Sequence, residues 1–189
     1  MDIISHGLWG SITFGRKNKK SFWTAFLFGL APDFLVFAPL FILIFLGIVD
    51  RPPIPPVEPP DISLIPAFVY GVYNVTHSLF VFAAAFLLLW IILRKPMWEI
   101  CAWGLHILLD IPTHSYQFFP TPFLWPISDF RFDGIGWSDP YIFFPNIVVL
   151  LILYVWFYMI KRNNGVANGP VKWYYHGELA VKRCWSCPH

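Results

Sequence analysis

WGLHILLDIPTHS, residues 103–115, sets His106, Asp110 and His114 into a stretch that is otherwise apolar. The spacing i, i+4, i+8 predicts that all three share one face of a helix. An ionisable group in a hydrocarbon layer is costly, so such a residue inside a membrane segment marks a functional site by default. Two further segments repeat the pattern. Asp33 sits in FGLAPDFLVF, residues 28–37, and His77 in YNVTHSLFVF, residues 73–82.

Composition says what solvent surrounds these residues. Apolar residues make up 57% of the 189-residue chain and charged residues only 13%. A soluble domain carries about 25% charged residues, so the deficit points to lipid. The length suits one compact domain rather than two. A net charge of +2 without a basic stripe argues against a nucleic-acid partner. Cys101, Cys184 and Cys187 do not make a disulfide framework. No removable signal peptide is expected, because no basic stretch and small-residue cleavage site precede the first apolar run.

Four segments, residues 22–48, 64–93, 97–119 and 141–160, approach the roughly 20 apolar residues that a span requires. The predicted fold is therefore all-α: an integral membrane helical bundle of about four transmembrane helices. Residues 2–15, DIISHGLWGSITFG, are too short to span and read as a re-entrant or interfacial helix. Residues 1–163 form the single membrane-embedded domain, and residues 164–189 a polar tail. Arg16, Lys17, Lys19 and Lys20, then Arg94 and Lys95, then Lys161 and Arg162 fall at alternate connections. The positive-inside rule then places both termini in the cytoplasm, as in a prokaryotic inner membrane. RPPIPPVEPP reads as a stiff extended loop.

This topology predicts depth. At about 1.5 Å per residue, Asp33 lies roughly 20 Å from Lys20, and His77 roughly 25 Å from Arg94. His106 and Asp110 lie roughly 17 and 23 Å from Lys95. One cluster explains the overlap. Two imidazoles and two carboxylates can close one tetrahedral zinc site, and the minimal set is Asp33, His77, His106 and Asp110. Asp110 has a second oxygen that could bridge to another ion, with His6 and His114 as the natural extra ligands. A pair of divalent ions, most simply zinc, could clamp a phosphoryl group and activate water. Asp110 and His114 are the catalytic candidates, His114 as ligand or proton shuttle.

Blander readings exist for each residue. A single intramembrane His is often a helix–helix contact, and a Pro-Asp pair can simply mark a kink. Arg131, in the outer loop ISDFRFDGIGWSDP, suits a substrate phosphate, or belongs to a solvated loop anchored by aromatics. The tail CWSCPH, with Cys184, Cys187 and His189, is a lone C-x-x-C and weak evidence for metal or redox chemistry.

The ordered motifs SHGLWG, GLAPD, NVTHS and HILLDIPTH, followed by FPTPFLWP, resemble the YdjM-like membrane-bound metal-dependent hydrolases over roughly residues 1 to 130. That family is similar, distantly, to the zinc-dependent phospholipase C and single-strand nuclease superfamily. The resemblance implies that His6, Asp33, His77, His106 and Asp110 are metal ligands and that Asp110 bridges. This chain departs from the soluble members in beginning Met1-Asp2, where they use a processed tryptophan, and in lacking a later H-x-x-x-E pair.

The expected function is hydrolysis of a phosphoester, or a related ester, of a lipidic substrate by a metal-bound hydroxide. A metal-ion or proton transporter built on the Asp/His cluster is the alternative, and a metal held only for folding is a third. The substrate's identity and the oligomeric state stay open.

Overall fold

The structure, a computed structural model, describes residues 1–50, 65–117 and 119–167. The proline-rich loop at residues 52–60 and the tail with Cys184, Cys187 and His189 lie outside the described residues. Met1–Val155 form one compact unit and Trp156–His189 a second, of which the end of α6 is described.

Helix α1 spans Ile3–Phe14, and the Asp2 side chain caps it by accepting from Ser5 N at 2.9 Å. Helix α2, Lys19–Phe45, is capped by Asn18 and carries Pro32 and Pro39 inside it. Helices α3, Ala67–Thr76, and α4, Leu79–Leu93, form a pair bent by 57°. The bend lies at His77 and Ser78, where the Ser78 hydroxyl accepts from Phe80 N and Val81 N and starts α4 afresh. A 3-10 turn, Trp98–Ile100, leads into α5, Cys101–Thr113. Helix α6 runs Pro140–Ala167, with Asp139 Oδ1 accepting from Tyr141 N at 2.8 Å at its start.

All of these elements are helical, as composition and periodicity predict. α2 and the Pro140–Ile160 part of α6 are long and apolar enough to cross a membrane, and the bent α3–α4 pair could supply a third span. The stretch read as a span over residues 97–119 contains the 3-10 turn Trp98–Ile100 and, as α-helix, only the 13-residue α5. That is about 20 Å of helix, against a hydrocarbon layer of about 30 Å. α5 stops at Thr113, and the carbonyls of Pro112 and His114 accept from Ile135 N and Gly134 N of the following loop at 3.0 and 2.8 Å instead of from a next helical turn.

Close packing positions the site. α1 lies against both α2 and α5. A Cβ on Gly29 would fall 2.5 Å from His6 O, and one on Gly10 2.7 Å from Ala102 Cβ, so these glycines let the helices approach. Below them Val36, Leu40, Val69, Tyr73 and Phe119 form an apolar cluster joining α2 to α3. Asn146 of α6 accepts from Trp9 Nε1 and donates to Ser5 Oγ, and Tyr154 OH donates to Leu8 O, which ties α6 to α1.

Candidate metal centre

Six side chains from four helices or their ends meet in one buried cluster: His6, Asp33, His77, His106, Asp110 and His114. Each arrives by a local rule. Asp33 follows Pro32 on α2. Gly29 O, on the turn before it, accepts from His106 Nδ1 at 2.7 Å. His77 is the residue at the α3–α4 break, so its ring leaves the helix line and turns inward. Loop residues 123–125 close over that break, where Leu79 N donates to Phe123 O and Ser78 Oγ donates to Trp125 O, and Trp103 Nε1 of α5 donates to Thr76 O. His106 and Asp110 are one turn apart on α5, as predicted.

His114 corrects the expectation of one continuous helical face. It lies just past α5 in extended backbone, with φ −121° and ψ 147°. Its Nε2 nevertheless comes within 3.4 Å of Asp110 Oδ1. Gly134 holds this corner: its N–H donates to His114 O at 2.8 Å, and a Cβ there would fall 2.3 Å from Pro112 O.

Asp110 divides the cluster into two lobes. On one side, Asp33 Oδ1, His77 Nε2, His106 Nε2 and Asp110 Oδ2 converge; a set of ligand atoms from these four residues lies within 4.8 Å of one another. The separations are 3.3 Å for His77–Asp33, 3.5 Å for His77–Asp110, 3.1 Å for His106–Asp110 and 3.7 Å for His106–Asp33. The two Nε2 atoms are 3.1 Å apart. Ligands at 2.0–2.1 Å around a tetrahedral zinc ion stand about 3.3 Å from one another, so the spacing fits such an ion. On the other side, Asp110 Oδ1 faces His6 Nε2 at 2.8 Å and His114 Nε2 at 3.4 Å. The α-amino group of Met1 also enters this lobe, 2.5 Å from Asp110 Oδ1 and 3.2 Å from His114 Nε2.

Hydrogen bonds fix which way the imidazoles face. A carbonyl can only accept, so each Nδ1 that meets one carries the proton. His106 Nδ1 meets Gly29 O at 2.7 Å, His77 Nδ1 meets Tyr73 O at 3.2 Å, and His114 Nδ1 meets Phe119 O at 2.9 Å. In the neutral form of these rings each Nε2 turns a lone pair towards the carboxylates. Facing lone pairs and anionic oxygens repel unless a cation lies between them. Metal-binding imidazoles are oriented in this way, through N–H groups given to backbone carbonyls. Asp110 Oδ2 and both nitrogens of His6 are buried without a hydrogen-bond partner among the described residues. The 2.8 Å approach of His6 Nε2 to Asp110 Oδ1 is thus close without being a directed hydrogen bond. Buried polar atoms are ordinarily satisfied, so these orphans also fit a cation. The residues present suit a metal.

Arg131 is not brought to this cluster as an ion-pair partner of Asp33 or Asp110. Its backbone carbonyl accepts from Tyr116 OH at 2.8 Å, and Asp133 Oδ1 accepts from Tyr116 N, so this part of the loop before α6 is organised around Tyr116. Two contributors escaped the sequence reading. The α-amine of Met1 has no side-chain signal. The break at His77 does have one, because a Ser after His before an apolar run is an N-cap pattern.

Compared with family models, with curated proteins and with solved structures, the chain finds no match.

Proposed function

We propose that this protein is a membrane-embedded, metal-dependent hydrolase that cleaves a phosphoester, or a related ester, of a lipidic substrate. The observation that carries the reading is the convergence of Asp33, His77, His106 and Asp110, with the imidazole Nε2 atoms facing inward. Zinc suits a donor set of two imidazoles and two carboxylates. These four residues would hold one ion. Asp110 Oδ1, His6 and His114 would hold a second, with Asp110 as the bridge. When bound, such ions supply Lewis-acid polarisation of a phosphoryl oxygen and activation of water at neutral pH.

The chain's own residues do the rest. Asp33 and Asp110 supply negative charge where the ions bind. His77 and His106 are held in register by Tyr73 O and Gly29 O. His114, beside Asp110 Oδ1 and half a turn outside the helix, is placed to hold or pass a proton. Arg131 on the outer loop would meet the substrate phosphate. The apolar helices favour a substrate that enters sideways from the bilayer. With these roles go membership of the YdjM-like family, four spans with both termini in the cytoplasm, and residence in a prokaryotic inner membrane.

The test is elemental analysis of detergent-purified wild type beside Asp110→Asn, followed by phosphate release from phospholipid and polyprenyl-phosphate substrates. One or two equivalents of zinc in the wild type, lost together with hydrolysis in a variant that still inserts, is the expected result. A wild type that holds no metal and takes up none on reconstitution overturns it. Metal flux across proteoliposomes without hydrolysis replaces it with a transporter.

A further inference from the structure

A second polar feature lies at the basic end of α2, far from the metal centre. Lys20 and Asp33 are separated by about 20 Å of helix at 1.5 Å per residue. There a cavity of about 370 Å³ opens between the α1–α2 turn and the α4–α5 connection. Lys17 and Lys20 line it from one side and Lys95 from the other, with Glu99 as its acidic member. Glu99 Oε1 is already engaged by the Ser21 hydroxyl at 2.6 Å. Among the described residues none of the three lysines lies within ion-pair distance of a carboxylate, although Lys17 is near enough to Glu99 to favour its charged form. Three cations therefore share one concave site with a single carboxylate.

The wall around Lys95 is otherwise apolar. Leu93 and Met97 line the cavity, and the neighbouring Ile91 and Ile92 of α4 are 74% and 63% exposed. A ligand that fits both halves has an anionic head and a hydrocarbon tail. Basic pockets between helices at a membrane surface bind phosphate-bearing head groups in this way, because ammonium groups are strong point-charge phosphate binders. We propose that this cavity binds the phosphate-bearing head group of an anionic lipid, with the acyl chains lying along α4. The site is separate from the metal centre and does not need it.

The experiment uses the full chain in neutral detergent and reads melting temperature. Dioleoyl-phosphatidylglycerol, dioleoyl-phosphatidylcholine and inorganic phosphate are titrated in turn. The phosphatidylglycerol arm should give a saturable rise on the order of 5 °C, and the phosphatidylcholine arm little or none. K17Q/K20Q/K95Q should lose most of that rise, and K95Q alone part of it. R16Q/K19Q/R94Q removes the same charge from residues that do not line the cavity and should keep the rise. Equal losses in the two triple variants, or equal responses to the two lipids, overturn the site in favour of general surface attraction. A full rise with inorganic phosphate alone overturns the lipid as the source and leaves a free-anion site. Metal content should be unchanged in every variant, so this test and that of the hydrolase reading fail independently.

Discussion

Helices α5 and α6 make opposite uses of the same solvent. α5 has 13 residues, ends within two residues of a proline, and carries His106 and Asp110 at 1% and 0% exposure. α6 is more than twice as long, and Leu151 and Ile152 on it are each 61% exposed. The more polar helix is the better buried one. In water the hydrophobic effect would favour the reverse. In lipid an apolar flank costs nothing to expose, whereas a carboxylate must be enclosed by partners or by an ion. Burial in this molecule therefore follows polarity, and the polar core is where chemistry can be held.

That contrast can be broken most severely at its centre. Asp110→Asn removes charge from both lobes and should abolish metal binding outright, measured as metal equivalents per chain. Next in size, His114→Gln or His6→Gln should cost one ion and leave the Asp33, His77, His106 and Asp110 ion in place. Loss of all metal in either variant would break the division into lobes.

Smaller effects sharpen the comparison through packing. Gly29→Ala inserts a Cβ 2.5 Å from His6 O, and overpacking of this kind costs about 1–3 kcal/mol. Its melting temperature should fall, and metal affinity with it, because His6 is displaced; an unchanged melting curve would show that α1 can move freely. Asn146→Leu removes the hydrogen bonds to Trp9 and Ser5. Buried helix–helix hydrogen bonds in membranes average about 0.6 kcal/mol, so the loss in an SDS-unfolding titration should be of that order per bond. Smallest of all, Ile152→Ala on the outer flank of α6 should change stability by no more than about 0.5 kcal/mol. A larger loss would mean that another protein surface, rather than lipid, covers that flank.

Much of the site was legible beforehand. Asp33, His77, His106 and Asp110 are residue types at matching depth, and they meet; His6, an extra ligand by the resemblance rather than by depth, joins them. Depth is readable because helical rise converts residue number directly into distance. Rotation about the helix axis is not readable in the same way where the helix is interrupted. The i, i+8 spacing put His114 on a helical face, but α5 ends before it, where the loop at Gly134 and Ile135 takes the Pro112 and His114 carbonyls. The residue reaches Asp110 from extended backbone instead. The span assigned to residues 97–119 shrank for the same reason, and the long segment at residues 64–93 broke at His77.

The sequence by itself determined the chemistry available: which donors exist, that they sit in segments apolar enough for lipid, and that the cost of burying charge would draw them together. Only the tertiary structure decided how they act. The two lobes of Asp110, the inward Nε2 atoms of His77, His106 and His114, and the entry of the Met1 amine depend on contacts with backbone carbonyls and atoms far away in the chain. Gly29 O orients His106 across 77 residues. A carbonyl is present at every residue and so leaves no mark in the sequence; which one a ring finds is settled by how closely the helices pack.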